Sequence, residues 1–278
     1  MPVLEFTLII LVGSCFAGLL GSLTGLGGGF IIIPLLTVFL HVDIHYAIGA
    51  SLVSIIATSS GSAAAYVKEG ITNMRLGMFL EIATTLGAVT GAMVAVYFPT
   101  NLLAVLLGVI LIISALLTLR KKAVQIVHQK NALAEKLKLN GSYPGENGTV
   151  EYSVSRIGGG FVMMLFAGLL SGLLGIGSGA LKVLAMDNIM RIPFKVSTTT
   201  SNFMIGVTGA ASAVVYLQRG YIEPSISMPV VIGVLIGALV GSKILVKTKS
   251  SGWLRWVFVV VVIGLASQLI YNGLIGKI

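Results

Sequence analysis

The sequence predicts an all-α, polytopic membrane protein made of two inverted repeats of about five helical segments, each with a glycine-broken hairpin near the membrane midplane. Three observations predict it. The 278 residues are 56% hydrophobic and 10% charged, and apolar runs of membrane-spanning length recur along them. The second half repeats the first at a separation of 150 residues. The Lys and Arg residues fall almost entirely on one side of the spans that these runs define.

Residues 4–24 form a first apolar helix. It is read as a helix rather than a cleavable signal peptide, because it has no basic n-region and no small-residue cleavage site. Gly25, Gly27, Gly28 and Gly29 follow, then a short apolar piece from Phe30 to Leu40. That piece rises no more than about 18 Å as a helix, too short for a hydrocarbon core of about 30 Å. Residues 4–40 are therefore a hairpin or broken helix that turns at the glycines. Spans are expected near 46–67, 74–98 and 101–119, with a tight hairpin at Pro99-Thr100-Asn101. Residues 120–156 are hydrophilic: Ala123 to Leu139 reads as a short interfacial helix and Asn140 to Gly145 as loop. The pattern then restarts with an apolar run from Phe161 to Leu174, a cluster of Gly175, Gly177, Ser178 and Gly179, and a short piece from Ala180 to Met190. Spans follow near 196–217, 225–246 and 253–275. The domains are thus a first transmembrane repeat (1–119), a basic linker (120–156) and a second repeat (157–278).

The repeat is ungapped. Ala17-Gly18-Leu19-Leu20 meets Ala167-Gly168-Leu169-Leu170, the alternate glycines of the two clusters coincide, and Ser51, Thr58, Tyr66 and Gly70 meet Ser201, Thr208, Tyr216 and Gly220. An odd number of segments per half makes consecutive halves face opposite ways. With the linker in the cytoplasm, fifteen of the 18 Lys and Arg residues are cytoplasmic, Arg219 and Lys277 are outside, and Lys182 is within the membrane. Both termini then lie outside a cell (inner) membrane.

The net charge of +9 sits in short loops between spans, so the partners expected are a small anionic substrate and the bilayer, and not nucleic acid. A homodimer is compatible with the sequence. No cofactor is implied. A single cysteine, Cys15, excludes an intramolecular disulfide, and His41, Asp43 and His45 read as an exposed turn rather than a metal site. There is no Ser-His-Asp grouping or metal cluster to suggest an enzyme. The Gly25–Gly29 cluster has no lysine at Walker spacing, and the Asn147 sequon falls in the cytoplasmic linker.

The chemistry concentrates at the two breaks. Backbone groups that lose their helical partners at that depth are tolerated only where they line a cavity or bind something. A half-helix beginning at Phe30 or Ala180 turns its positive end to the membrane centre, and two such ends make an anion site. Helix packing is the plainer explanation for Gly87/Gly91 and Gly237/Gly241, which form small-residue ridges. Lys182, three positions beyond Gly179, is either a counter-charge for an anion or a lysine that snorkels or pairs with Asp187. Glu81 is the candidate for proton coupling, unless solvated near the cytoplasmic face. Hydroxyl runs on the third segment of each half, with Ser51 and Thr58 in one and Thr200, Ser201 and Asn202 in the other, are candidates to donate to oxyanion oxygens. Their other explanation is bonding to their own helix carbonyls.

These residues also resemble a family. Ala17 to Leu20, Gly25 to Pro34, Ala47 to Leu52 and Gly168 to Gly179 are similar to motifs of the TauE/SafE sulfite-exporter family of membrane permeases. The resemblance spans the chain except the linker. It implies secondary transport of sulfite, organosulfonates and related sulfur-containing anions, with an anion channel or a carboxylate permease as the alternatives. Ser178 stands where the family usually has glycine, and Lys182 where an apolar residue is common; the lysine leans towards an anion.

Overall fold

The structure, a computed structural model, describes residues 3–24, 27–119, 132–145, 148–247 and 252–277. Ten helices form the repeat pair: α1 (Val3–Thr24), α2 (Gly29–Pro34), α3 (Ile44–Lys68), α4 (Met74–Ala95) and α5 (Thr100–Leu119), then α7 (Ile157–Leu174), α8 (Gly179–Leu184), α9 (Phe194–Gln218), α10 (Pro224–Lys247) and α11 (Gly252–Ile275). Between them lie α6 (Ala132–Lys136) and a hairpin of β1 (Gly141–Gly145) and β2 (Gly148–Tyr152). Seven described helices are long and apolar enough to cross a membrane: α1, α3, α4, α5, α7, α9 and α10.

The punctuation of the sequence sets the helix ends. Asn73 caps α4 by accepting the Leu76 N–H at 3.0 Å. Gly175 ends α7 in the left-handed conformation (φ 65°), its N–H bonding back to the Ser171 carbonyl at 2.8 Å. Gly70 (φ 66°) and Gly220 (φ 75°) follow the ends of α3 and α9 at equivalent places.

The 150-residue offset carries into three dimensions. α2 and α8 begin at Gly29 and Gly179, α3 and α9 at Ile44 and Phe194, α4 and α10 at Met74 and Pro224. Packing is exchanged between halves: α1 lies along α10 and α4 along α7, while α3 meets α9 and α5 meets α11. Both long seams are built on glycine. A Cβ on Gly172 would stand 1.9 Å from the Ala88 carbonyl oxygen, and one on Gly237 would stand 1.9 Å from that of Cys15. Gly87 and Gly91 face the α7 backbone in the same way, so these ridges serve helix packing as expected.

The short helices hold a feature with no sequence signal. α2 widens into a π-helix over Leu35–Phe39, and α8 into one over Ala185–Ile189. Pro34 is not the cause, since its counterpart Leu184 opens the same widening.

The linker corrects one expectation. The stretch read as loop, Asn140 to Gly145, is largely strand: β1 pairs antiparallel with β2, joining Gly141 to Tyr152 and Gly145 to Gly148. Tyr143 and Tyr152 sit on one face with ring centroids 6.3 Å apart, and that aromatic pair gives a short polar segment a reason to pair. Of the helix expected over Ala123 to Leu139, the described part is Ala132–Lys136, and 120–131 lie outside the described residues. The linker is packed down. Leu139, Tyr152 and Val154 are buried with Leu76, Leu80, Met186, Met190 and Met204. Asn73 donates to the Leu139 carbonyl at 2.8 Å and to the Tyr152 hydroxyl at 2.9 Å. Burial raises the Tyr152 hydroxyl to a pKa of about 12, against a lowering by the Asn73 bond.

Candidate functional site

The two glycine turns converge on one pair of equivalent residues. Gly27 (φ 78°) and Gly177 (φ 69°) both occupy the left-handed region, which glycine enters without strain. A Cβ on Gly27 would meet Ile205 Cδ1 at 3.0 Å and Ile55 Cγ2 at 3.2 Å; one on Gly177 would meet Ile55 Cδ1 at 3.1 Å and Ile205 Cβ at 3.5 Å. Ile55 and Ile205, themselves 150 residues apart, are buried between the turns. Gly28 lies beside Thr58, and Gly29 beside Ser51 and the Gly175 carbonyl. Gly25 lies outside the described residues.

Symmetry fails at the next residue. Gly28 is right-handed (φ −72°), whereas its counterpart Ser178 is left-handed (φ 45°), a conformation that a side chain disfavours by about 1–2 kcal/mol. The Ser178 hydroxyl is buried and has no hydrogen-bond partner.

Lys182 lies one turn on, fully buried, its N–H bonded to the Ser178 carbonyl at 3.0 Å. Its ammonium donates to the Thr208 hydroxyl. Thr208 donates in turn to Glu81 Oε1 at 2.5 Å, and Lys182 Nζ stands 3.9 Å from Glu81 Oε2. Thr85 adds a long bond of 3.4 Å to Oε1, and Oε2 has no hydrogen-bond donor. Glu81, the candidate for proton coupling unless solvated near the cytoplasmic face, is only 7% exposed. Lysine from α8, threonine from α9 and glutamate from α4 thus form one buried array. A buried charge needs a partner of this kind, because desolvating either ion alone costs several kcal/mol.

The hydroxyl candidates divide. Ser51 donates to the Gly175 carbonyl at 2.7 Å and Ser201 to the Gly179 carbonyl at 3.2 Å, so each holds a carbonyl of the second glycine break. Thr58 donates to the Ser54 carbonyl of its own helix at 2.8 Å. Thr200 accepts the Asn73 N–H at 3.1 Å, and Asn73 in turn holds the docked linker. Asn202 donates to the Ser22 carbonyl at 3.3 Å, its own carbonyl accepts from Ser59 at 2.6 Å, and its buried Oδ1 has no partner. Sequence reading missed Thr208 as a bridge and the isoleucine pair at the turns. Both matched across the repeat, Thr208 with Thr58 and Ile205 with Ile55, which was the available signal.

Membrane-spanning helices in duplicate, paired broken helices and a buried ion array beside one break are the architecture of a membrane transporter. The chain belongs to the Sulfite exporter TauE/SafE family, whose model matches residues 10–269. It is 31% identical over 279 residues to "Probable membrane transporter protein YunE" of Bacillus subtilis (strain 168), covering 98% of this chain and 99% of the relative. It is 28% identical over 236 residues to "Probable membrane transporter protein YdhB" of the same organism (85% and 89% covered). To "Probable membrane transporter protein MJ0441" of Methanocaldococcus jannaschii it is 26% identical over 253 residues (86% and 85%). The relatives are named as transporters, not as enzymes. No solved structure matches.

Proposed function

We propose that this transporter carries a small sulfur-containing anion, sulfite or an organosulfonate, by alternating access between two inverted halves, 1–119 and 157–278. The single observation that carries the reading is Lys182: a fully buried lysine one turn beyond a helix break. The anionic head takes the Lys182 ammonium, with the backbone of Gly27 to Gly29 and Gly177 to Gly179 and the unpartnered Ser178 hydroxyl around it. Ser51, Ser201 and Asn202 hold the freed carbonyls and the neighbouring turn in shape. In this reading the linker faces the cytoplasm of the inner membrane and both termini face outward, in keeping with the Lys/Arg distribution. Ile55 and Ile205, both fully buried against the two glycine turns, support a carrier over a channel, since an open pore needs a wetted path.

The test is counterflow in proteoliposomes. Labelled sulfite and organosulfonates are expected to exchange saturably, and Lys182→Ala to abolish the exchange while Lys195→Ala, at an exposed position, preserves it. Equal activity of the two variants refutes the role of Lys182; flux without saturation or counterflow refutes the carrier.

A further inference from the structure

We propose that Glu81 is the proton-binding group of the transport cycle, so that anion and proton bind together, the anion taking the Lys182 ammonium that Glu81 gives up on protonation. The inference rests on the reading of Lys182 as the anion's counter-charge.

The molecule contains its own control. The positions equivalent to Lys182, Thr208 and Glu81 in the other half of the repeat are Ile32, Thr58 and Val231. The same helices pack there with no charge at all, and Ile32 is fully buried. Packing therefore does not require an ion pair at this place, and its presence on one side only calls for another role.

Charge balance supplies that role. Glu81 and Lys182 together are neutral. A monoanion added beside them leaves one uncompensated negative charge in a dry, low-dielectric site, which is strongly disfavoured. One proton on Glu81 restores neutrality: the carboxylate becomes a carboxylic acid, and the ammonium keeps its charge for the anion. Empty and loaded sites are then both neutral, and either can reorient.

The geometry accommodates the change. Thr208 gives its proton to Glu81 in this structure, yet the Met204 carbonyl lies 3.1 Å from the same hydroxyl. When Glu81 is protonated, the carboxylic O–H donates to the Thr208 oxygen and the threonine proton turns to Met204. Oε2 is buried without a hydrogen-bond donor, so protonating the carboxyl breaks no hydrogen bond on that oxygen. Few other charges intervene. On α4 the remaining charged residue is Arg75, exposed at the helix start. α7 carries no titratable side chain. α9 carries exposed Lys195 at its start and Tyr216 near its end, bonded to the Leu173 carbonyl at 3.4 Å. The α8 segment carries Lys182 itself and half-buried Asp187.

The test is calorimetric titration of the purified full chain in buffers of different ionisation enthalpy. Isethionate and methanesulfonate serve as probes because both are monoanions that stay fully ionised near neutral pH; sulfite is avoided because its own protonation would imitate the effect. Wild type is expected to take up about one proton per anion bound, with affinity falling up to about tenfold per pH unit in alkaline solution. Glu81→Gln is expected to bind with no proton uptake and a flat pH profile. The double variant Glu81→Val/Lys182→Ile, which copies the uncharged equivalent site, is expected to fold and to bind neither anion; with the wild-type proton count it decides the matter if Glu81→Gln does not fold. Anion binding by wild type without proton uptake, or uptake that persists in Glu81→Gln, overturns the coupling and leaves the anion site standing. Binding by the double variant, or failure of wild type to bind either probe, overturns the anion reading and this inference with it.

Discussion

Breaking the buried array by halves and then as a whole separates its structural part from its chemical one. At 3.9 Å between Lys182 Nζ and Glu81 Oε2, the attraction at an effective dielectric of about 20 is about 4 kcal/mol. Glu81→Val or Lys182→Ile alone strands the other ion in an apolar setting, and such losses run to about 3–5 kcal/mol. If the two losses simply added, the double variant would be destabilised by about 6–10 kcal/mol. It is expected instead to lie within about 2 kcal/mol of wild type, because no ion is left unpaired and the introduced residues are those that the equivalent site already packs. Ranked melting of the detergent-solubilised proteins checks this. At roughly 2–4 °C per kcal/mol, each single variant falls by roughly 6–20 °C and the double variant recovers most of the loss. A double variant as unstable as the summed singles would refute the argument, showing that α4, α8 and α9 need the charges to pack.

Four further outcomes are expected. Gly172→Ala sets a Cβ 1.9 Å from the Ala88 carbonyl oxygen and is expected to lower stability by about 1–3 kcal/mol, while Gly158→Ala, with nothing within 4 Å, leaves the melting point near that of wild type. Gly177→Val puts a β-branched residue at φ 69° against Ile55 Cδ1, so transport in vesicles should vanish while the protein still reaches the membrane fraction. Tyr152, held above its ordinary pKa of 10.0 at about 12, favours the docked linker in full below about pH 10 and loses that contribution as pH rises towards 12; proteolysis of the linker should therefore rise over that window, and less so in Tyr152→Phe. In a Cys15→Ala background, an impermeant thiol reagent should label Ser142→Cys, at an exposed linker position, from the cytoplasmic face only; labelling from outside overturns the orientation.

Much of this architecture is legible in the sequence because lipid simplifies the code. Apolar runs must be helices, and glycine, proline and charge mark their ends. The expected span near 46–67 is Ile44–Lys68 and that near 225–246 is Pro224–Lys247. The constant offset of 150 located Gly27 with Gly177 before any coordinate, and the structure brings both against Ile55 and Ile205. What escaped was long-range or local without a signal. The α8 and α4 charges are about a hundred residues apart and meet through a threonine whose only sequence mark was its match to Thr58. Nothing in Leu35–Phe39 distinguishes a π-helix from an α-helix. The linker hairpin reads as loop in the sequence because Gly141, Pro144 and Gly145 are turn residues, and what orders it is contact with Asn73 and an apolar face formed by distant residues.

The departures from symmetry act together when the two halves exchange conformations, as the proposed cycle requires. Gly28 at φ −72° and Ser178 at φ 45° are then the two states of one turn. Glycine occupies either state freely, whereas serine in the left-handed state is disfavoured by about 1–2 kcal/mol. The structure observed here therefore holds strain at Ser178 that the exchanged state relieves. Opposing that relief is the array one turn away, where Lys182 is held to Thr208 and Glu81. In the proposed cycle, an anion that takes the ammonium, with a proton that neutralises Glu81, would loosen the hold on α8 and let the strained turn relax. An exchange of about 1–2 kcal/mol is small enough to reverse on unloading and large enough to shift a population several-fold to about thirtyfold. A turn with glycine in both halves would have no such bias, and a site with no charges would have nothing for an anion and a proton to release.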